Sequence, residues 1–422
     1  MYNLLEVYGP CISTASWTDW PRHRKILAAP FNENIMKFVW NESLKQTREM
    51  LQSWSLSNVS GIPSVAKDTR TLSLNVLAAT GFHRSYRFRG SNQSETDEAG
   101  TYRDALQTVL DNVIVLMLVP RRLLQLPISR SWARIGRAAA EFKQFMMDML
   151  DKETILLQKG KIGTGSLMTS FVRALDTHQK EEAILKSNEG LPSKGLTVDE
   201  ILGNIFVINF AGYDTTANTL AFSMILLAAN PEVQDWVSEE LETLRLYPPI
   251  MALPKWSNEH PQMLQIGKRK IMIPPQTGVM PSLLAIQTHP KYWPDPLHWQ
   301  PSRWISSPAA PDSNESKLTL ANRLHQEEVM TPLQSTYFPW SDGPQNCPGA
   351  KFAQVESVAV LACLLWDHRV VIVPEPGESL EKAINKALAT TEDCDMELLL
   401  RMRNADNVRL ACKRLSVDKD AM

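Results

Sequence analysis

The stretch WSDGPQNCPG, residues 340–349, holds one cysteine on a backbone that its neighbours constrain. Gly343 and Gly349 allow the chain to approach a flat group closely, because glycine lacks a Cβ and tolerates positive φ. The two prolines of the stretch stiffen the loop. A helix is predicted from Ala350, so its N-terminal N–H groups and its dipole favour the thiolate form of Cys347. The loop would therefore present a fixed thiolate to some partner.

Such a cysteine is a nucleophile, a metal ligand or an inert loop residue. A nucleophile needs a paired histidine, but the nearest ones along the chain, His325 and His368, lie in no recognisable catalytic motif. An axial ligand of iron needs only a shielded loop whose backbone N–H groups tune the sulfur. The loop alone leaves all three interpretations open.

The stretch AGYDTTANT, residues 211–219, places an acid and hydroxyl groups inside a predicted helix, where such residues are poor helix formers. The small pair Ala211 and Gly212 leaves room for a flat cofactor beside the helix. Thr215 can hydrogen-bond to the preceding turn and bend the helix, and with Asp214 it forms an acid–alcohol pair that can relay protons. The alternative is a helix that packs through small residues.

Three further motifs combine charged and aromatic residues. Glu242 and Arg245 in ETLRLYPP lie three residues apart on one helix face, and Arg303 ends the proline–aromatic stretch HPKYWPDPLHWQPSRW. An exposed location with little energetic weight is the alternative for these charges. Trp20 and Arg24 in WPRHR are four residues apart, and both donate hydrogen bonds suited to carboxylates.

The composition is that of a globular protein. The 422 residues include 44% apolar and 21% charged residues, and the net charge of −2 provides no general attraction for nucleic acid. Five cysteines without a CxxC spacing argue against a disulfide framework or a zinc site and favour a reducing compartment. The N-terminal stretch resembles neither a signal peptide nor a membrane anchor, and the apolar segment Ile201 to Ala229 is interpreted as a buried helix.

Most of the first two-thirds of the chain is predicted to be helical. Apolar spacing and good helix formers predict helices over Asn34 to Trp54, Tyr102 to Leu118, Ser131 to Gln158 and Ile201 to Asn230. Thr197 and Glu200 form a capping box at the start of the longest one. Pro248 to Met280 predicts short strands and turns, and Ala350 to Trp366 predicts a last helix. The alternating tail from Arg369 predicts a terminal hairpin.

Together and in this order, the motifs resemble the cytochrome P450 family of heme-thiolate monooxygenases. The resemblance runs from Trp20 to the tail, and the cysteine stretch and a long polar insert are similar to fungal members that tailor secondary metabolites. It implies a mainly α fold with a minor β part, lacking the family's first helices and part of its first sheet. It also implies a single catalytic domain over residues 1–422, with the polar insert as a loop at about 306–332.

The resemblance implies roles for individual residues. Cys347 would be the axial thiolate ligand of heme iron, and Asp214 with Thr215 would deliver protons. Ala211 and Gly212 would leave space for the heme. The other cofactor-binding residues would be Trp20, Arg24, Lys255, Trp340, Gly343, Gln345 and Gly349. A structural ion network behind the heme would consist of Glu242, Arg245 and Arg303.

The sequence departs from the usual family pattern at three of these positions. The family usually has phenylalanine where this chain has Trp340, and arginine where it has Gln345. Another usual arginine, after the Pro-Pro pair, appears as Lys255. Binding of the heme propionates would then depend on Trp20, Arg24 and Lys255.

Two segments of the family are expected to be absent. The membrane anchor, the first helices and most of the first sheet should precede Trp20, and PEVQDWVSEE runs directly into LETLRLYPP where the family has several tens of residues. Local propensity predicts one continuous helix over Pro231 to Leu246, but the ion network requires Glu242 to reach Arg303. We predict that the network prevails, with a kink or break near Glu240, because an unpaired buried charge costs more than an interrupted helical turn.

The resemblance implies an enzyme that inserts one oxygen atom of O2 into a lipophilic small molecule, with electrons from NADPH through NADPH–cytochrome P450 reductase. The alternative is a truncated, non-catalytic heme-binding remnant of the same family, and an unrelated thiol hydrolase is a distant third. Nucleic acid is not an expected partner. We expect a location at the cytoplasmic face without a transmembrane anchor in this chain, although the family is usually anchored to the endoplasmic reticulum membrane.

Overall fold

The computed structural model describes residues 2–56, 61–91, 102–124, 126, 129–159, 166–185, 194–235, 239–306, 328–333, 335–396 and 398–415. Most of the polar stretch predicted to be a loop at 306–332 lies outside these residues. The chain divides into two compact units: Met1–Ser53, Arg70–Thr216 and Pro348–Cys363 form unit 1, and Trp54–Thr69, Ala217–Cys347 and Leu364–Met422 form unit 2. The single catalytic domain stays a prediction.

Helices dominate the described chain, which confirms the predicted mainly α fold. They are α1 (Trp20–Ala28), α2 (Glu33–Leu56), α3 (Val65–Phe82), α4 (Tyr102–Asp111), α5 (Val113–Leu118), α6 (Arg121–Leu124), α7 (Arg130–Gln158), α8 (Leu167–Leu185), α9 (Val198–Ala229), α10 (Glu239–Leu246), α11 (Leu283–Gln287), α12 (Ala350–Leu365) and α13 (Leu380–Glu392). Short 3-10 helices lie at Tyr2–Leu5, Pro231–Asp235, Pro301–Trp304 and Ala405–Asn407. None of the described helices is long and apolar enough to cross a membrane.

The strands are short and pair in twos. They are β1 (Lys255–Trp256), β2 (Gln262–Ile266), β3 (Arg269–Ile273), β4 (Gly278–Val279), β5 (Ile305–Ser306), β6 (Glu328–Val329), β7 (His368–Ile372), β8 (Cys394–Met396), β9 (Leu400–Met402) and β10 (Leu410–Arg414). The antiparallel pairs within the described residues are β1–β4, β2–β3, β5–β6, β7–β10 and β8–β9. All ten strands belong to unit 2.

Helix α9 is apolar around most of its circumference, and a helix of that kind is buried on all sides. Ile205 and Phe206 are fully buried in unit 1. The N-terminal segment crosses this helix in close contact, since a Cβ on Gly203 would lie 2.3 Å from the carbonyl oxygen of Gly9. A Cβ on Gly9, whose φ angle is 137°, would lie 2.2 Å from Asp199 O, so both positions require glycine for the segment to pass. The capping box forms as predicted: Thr197 N–H donates to Glu200 Oε2 at 2.8 Å, and Glu200 N–H donates to Thr197 Oγ1 at 3.2 Å.

Two sequence predictions about element boundaries were wrong. The predicted helix over Tyr102 to Leu118 is divided into α4 and α5 at Asn112, whose Nδ2 donates to Thr108 O at 2.8 Å. Such a bond from side chain to backbone competes with continuation of the helix. The tail does not form one terminal hairpin either. Strand β7 pairs with β10, and β8 and β9 pair with each other, because α13 lies between β7 and β8.

The chain around Glu240 is not one described continuous helix. Residues Pro231–Asp235 form a 3-10 helix, and α10 begins at Glu239. No single α-helix therefore runs from Pro231 to Leu246, and the kink or break predicted near Glu240 stays a prediction. The residues between the two helices, 236–238, lie outside the described part of the chain.

Candidate functional site

The cysteine loop has the unusual backbone that its glycine content predicts. Ser341 and Gly343 have φ angles of 67° and 80°, in the left-handed region. Cys347 N–H donates to Trp340 O at 2.8 Å, and Asn346 N–H donates to Gly343 O at 3.2 Å. These bonds close the loop on itself. The Cys347 side chain is in no disulfide and is exposed in the structure.

Helix α12 starts three residues after this cysteine. Its first turn includes the bond from Ala353 N–H to Gly349 O, at 3.0 Å. Farther along, Ala359, Val360 and Leu364 are buried and hold the helix in the protein. The sequence therefore positions the thiol directly before the N-terminus of an anchored helix, as predicted from Ala350.

The middle of α9 has one uncovered face. Ile208, Gly212 and Thr215 are half-buried and Ala211 is exposed, and these four positions follow the helical spacing of three and four residues. Thr215 Oγ1 donates to Ala211 O at 2.9 Å, which is the backward hydrogen bond expected from the sequence. Small residues and a hydroxyl therefore line an uncovered strip in the middle of this helix.

Asp214 lies next to Thr215 in sequence but has a different environment. Its side chain is buried, and Arg70 Nε of α3 donates to Asp214 Oδ1 at 3.0 Å. Burial lowers the pKa of Arg70, but the charges of Asp214, Tyr213 and Asp111 outweigh burial and raise the pKa above its ordinary value. The sequence analysis missed Arg70, because it lies 144 residues from Asp214 and no local pattern links the two.

The predicted propionate-binding residues occur in both units. In unit 1, Trp20 and Arg24 are half-buried on α1. The Trp20 ring stacks on Trp17, with ring centroids 5.9 Å apart and an angle of 7° between the planes. In unit 2, Lys255 is exposed in β1, and the exposed Gln345 lies in the cysteine loop. Trp340 and Gly349, also named by the sequence analysis, are half-buried.

An ion pair that sequence reasoning missed fixes helix α1 to the start of α9. Arg22 donates from both terminal nitrogens to the two carboxylate oxygens of Glu200, at 2.6 Å and 3.0 Å. His23 Nε2 lies 3.3 Å from Glu200 Oε1. Burial raises the pKa of Glu200, but the hydrogen bonds from His23, Arg22 and Thr197 outweigh it and hold the pKa far below its usual range. This pair orients the helix that carries Trp20 and Arg24.

The three residues of the predicted ion network lie together in unit 2. Arg245 makes a two-pronged contact with Glu242, from Nε at 2.9 Å and from Nη2 at 2.8 Å. Arg303 Nε donates to Glu242 Oε1 at 3.0 Å. The side chains of Glu242 and Arg245 are fully buried, and that of Arg303 is 8% exposed.

Backbone groups complete the network. Arg245 donates to the carbonyl oxygens of Gln287, Pro296 and His298, and Arg303 donates to those of Pro294, Asp295 and His298. The indole of Trp304 donates to Glu242 Oε2 at 2.9 Å. The carbonyl dipoles offset the excess positive charge of two arginines around one carboxylate. Sequence reasoning missed Trp304, although it directly follows Arg303.

The residues present fit a heme group on the chemistry of their donors. Unit 2 offers an accessible thiol on a rigid, hydrogen-bonded loop, which is the ligand type of heme-thiolate iron. Unit 1 offers an uncovered strip of small residues on a buried helix, with a tryptophan and an arginine on a second helix. The thiol in unit 2 is thus a donor of the kind that heme iron requires, and the strip in unit 1 is a surface of the kind that a flat group requires.

Comparison with known proteins gives one family. The family model described as Cytochrome P450 matches residues 8–243 and 241–393. The match therefore consists of two pieces that overlap at 241–243, next to the point where the sequence predicts a missing segment. The relatives include a cytochrome P450 monooxygenase of Arthrobotrys oligospora, 25% identical over 97% of this chain and 77% of its own length.

A second relative is the phomenoic acid biosynthesis cluster cytochrome P450 monooxygenase of Leptosphaeria maculans. It is 28% identical over 90% of this chain and 71% of its own length. Among solved structures, the heme domain of cytochrome P450DA is similar with a TM-score of 0.67 and 17% identity, over 98% of this chain and 82% of that one. The structural similarity confirms the predicted fold.

Proposed function

The chain belongs to the cytochrome P450 family, and from this premise we propose that it is a heme-thiolate monooxygenase that inserts one oxygen atom of O2 into a lipophilic small molecule. The family makes it an oxidoreductase that incorporates molecular oxygen. The observation that carries the proposal is the exposed thiol of Cys347 on a rigid loop directly before α12. No second residue type in this loop can serve as a soft ligand for iron.

Cys347 would hold the iron, and Trp20, Arg24 and Lys255 would hold the propionates, with Trp340, Gly343, Gln345 and Gly349 shaping the loop. Bound heme supplies the activation of O2. Ala211 and Gly212 support contact with a flat group, because they leave an uncovered strip on a buried helix.

Two side chains of α9, Thr215 and Asp214, would have separate roles in proton delivery. Thr215 has a hydroxyl at the uncovered strip, oriented by its bond to Ala211 O at 2.9 Å. Asp214 is buried and accepts a hydrogen bond from Arg70 Nε at 3.0 Å. The threonine hydroxyl would pass a proton on at the uncovered strip, and the Asp214 carboxylate would take up a proton from solvent and return it to the hydroxyl.

The substrate class follows from the relatives rather than from a pocket. One relative is described as belonging to a phomenoic acid biosynthesis cluster, and several are fungal monooxygenases. These relatives support a role in tailoring a fungal secondary metabolite. Electrons would come from NADPH through NADPH–cytochrome P450 reductase, at the cytoplasmic face. A non-catalytic heme-binding remnant is the second candidate, favoured by the family match in two pieces that overlap at 241–243.

The absorbance spectrum of the reduced protein with carbon monoxide tests whether Cys347 is the ligand of the heme iron. We expect the absorbance band of thiolate-ligated heme in the parent protein, its loss in Cys347→Ala, and its retention in Cys363→Ala. Cys363 is a half-buried cysteine on α12 and serves as the matched control. Oxygenase activity retained by Cys347→Ala would overturn the assignment, and heme uptake without turnover in the presence of reductase would favour the remnant.

A further inference from the structure

Helix α12 carries one acidic residue, Glu356, in the middle of a mostly apolar sequence. The side chain is fully buried, with 0% of its surface exposed. Neither carboxylate oxygen accepts a hydrogen bond of normal geometry from the residues that the structure describes. Buried polar groups almost always have a partner, so an unpartnered carboxyl group inside a protein requires an explanation.

A second unpartnered group acts on the same carboxyl group. Ser73 of α3, in the same unit, is also fully buried, and its Oγ makes no hydrogen bond of normal geometry with the described residues. Its hydroxyl is nevertheless near enough to act on the pKa of Glu356. Three polar atoms, the two carboxylate oxygens and the serine oxygen, therefore share one interior location, and contact between Ser73 and Glu356 leaves much of their hydrogen-bonding capacity unused.

The carboxyl group has no counter-charge in this location. Burial raises the pKa of Glu356 to about 8, and the Ser73 hydroxyl opposes this only in part. No charged side chain of the described chain contributes to that pKa, from α3 or from any other element. A buried carboxylate without a positive partner is costly, so the group stays protonated at neutral pH.

Protonation removes the charge but not the need for hydrogen bonds. A carboxylic acid has one O–H donor and retains acceptor capacity, and a serine hydroxyl has one donor and two lone pairs. An internal water molecule typically makes about three hydrogen bonds to buried polar groups of this kind. We propose that Glu356 and Ser73 form an internal site between α12 and α3 that holds a proton and at least one ordered water molecule.

The proposal does not depend on heme or on the monooxygenase activity, because both residues are described without reference to either. Its two parts are tested separately. The infrared spectrum reports the proton, since a protonated carboxylic acid has a carbonyl stretching band that a carboxylate lacks. We expect this band in the parent protein at neutral pH, its loss as the pH rises through about 8, and its absence from Glu356→Gln.

Glu141→Gln is the matched control, since Glu141 is an exposed mid-helix glutamate of α7. It should leave the band unchanged. If the parent protein shows no such band at neutral pH, the proton-holding part is wrong. The titration of the parent protein alone decides this, even if Glu356→Gln fails to fold.

A high-resolution crystal structure tests the water. We expect an ordered water molecule within hydrogen-bond distance of both a Glu356 oxygen and Ser73 Oγ. In Ser73→Ala the carbonyl band of Glu356 should shift, because one partner of that water is lost. Direct contact between Glu356 and Ser73, with no water between or beside them, would overturn the water-binding part.

Discussion

Thr215 and Asp214 are neighbours in sequence, yet their side chains have different partners. The hydroxyl of Thr215 bonds to a carbonyl of its own helix, at the uncovered strip of α9. The carboxylate of Asp214 is buried against Arg70 of α3. The pair that the sequence predicts as one unit therefore consists of an accessible hydroxyl and a charge fixed by a distant arginine.

Replacing Thr215 with alanine should keep heme binding but divert reduced oxygen to peroxide, because the hydroxyl that would deliver the proton is lost. The measurement is the peroxide formed per NADPH consumed, which we expect to rise several-fold. Thr216→Ala is the matched control, since Thr216 is a buried hydroxyl on the same helix. Equal peroxide yields in the parent and in Thr215→Ala would count against the relay.

The sequence predicted the residues whose local surroundings are unusual. Cys347 stands out because glycine and proline constrain the loop around it, and Thr215 because hydroxyl groups are poor helix formers. Arg70 and Glu356 were missed for a physical reason. The partner of Arg70 is 144 residues away, and a single glutamate in an apolar helix gives no local sign of being buried.

Glu356 should make the free energy of unfolding depend on pH. Its pKa in the folded protein, about 8, lies above its ordinary value of 4.5. The stability that it contributes is therefore complete below pH 4.5 and is lost as the pH rises through about 8. At about 1.4 kcal/mol for each pKa unit, the loss is at most about 5 kcal/mol.

Urea unfolding at about pH 5 and about pH 8 measures this effect. The difference in unfolding free energy between the two pH values should be smaller in Glu356→Gln than in the parent protein, since glutamine does not titrate. The same pH dependence in both proteins would show that Glu356 does not carry it. Glu141→Gln, on the surface, should behave as the parent does.

Two elements, α10 and the 3-10 helix Pro301–Trp304, are held together by the ion network. Both arginines and the carboxylate are almost completely removed from water. Removing one partner of a buried pair leaves an uncompensated charge, at a cost of about 3–5 kcal/mol. Exposed pairs contribute far less, about 0–1 kcal/mol.

Glu242→Gln should therefore destabilise the protein by about 3–5 kcal/mol, because the buried Arg245 and Arg303 both lose the carboxylate that compensates their charges. The matched control is Lys180→Met, which breaks an exposed pair with Asp176 in which the side chains are 70% and 58% exposed. We expect a change below about 1 kcal/mol for that variant. Urea unfolding measures both, and similar values for the two variants would mean that the buried network contributes no more than a surface pair.

A second contact at the level of elements is the crossing of the N-terminal segment over α9. Gly203→Ala would place a Cβ 2.3 Å from Gly9 O, so either the segment or the helix must move. We expect a loss of about 1–3 kcal/mol, as for other overpacking substitutions. Gly81→Ala in α3 is the control, because its nearest neighbour would be 3.9 Å away.

In that control the gain in helix propensity should leave stability unchanged or raised by up to about 1 kcal/mol. Thermal unfolding of both variants decides the outcome. If Gly203→Ala is as stable as Gly81→Ala, the crossing is looser than the structure indicates.

Helix α12 was predicted within one residue of its ends and α9 within three, because spacing and capping residues act locally. The pairing of β7 with β10 was not predicted, because 37 residues separate the two strands and turn signals act only over a few residues. The division into α4 and α5 depends on one amide bond of Asn112, which propensity alone does not reveal.

At the scale of the whole molecule, the question is whether this chain binds heme productively. It spans 77% and 71% of the two fungal relatives compared above. The family match consists of two pieces that overlap at 241–243, yet Glu242, Arg245 and Arg303 still form a complete buried network beside that point. The predicted absence of a segment there has therefore not removed the partners of the buried charges.

A protein that binds heme only when folded is stabilised by that binding, by about 2.7 kcal/mol when free ligand is at 100 times its dissociation constant. We expect the melting temperature of the heme-free protein to rise on addition of hemin. The rise should be smaller in Cys347→Ala, which lacks the iron ligand, than in the parent protein. In Cys363→Ala it should be as large as in the parent protein. Because the same amount of hemin is added to each, non-specific binding to apolar surface is common to all three.

An equal rise in all three proteins would mean that hemin binds without the thiolate, and the assignment of Cys347 would fail together with the monooxygenase proposal. A rise confined to the proteins that retain Cys347 would establish ligation by this chain independently of any substrate.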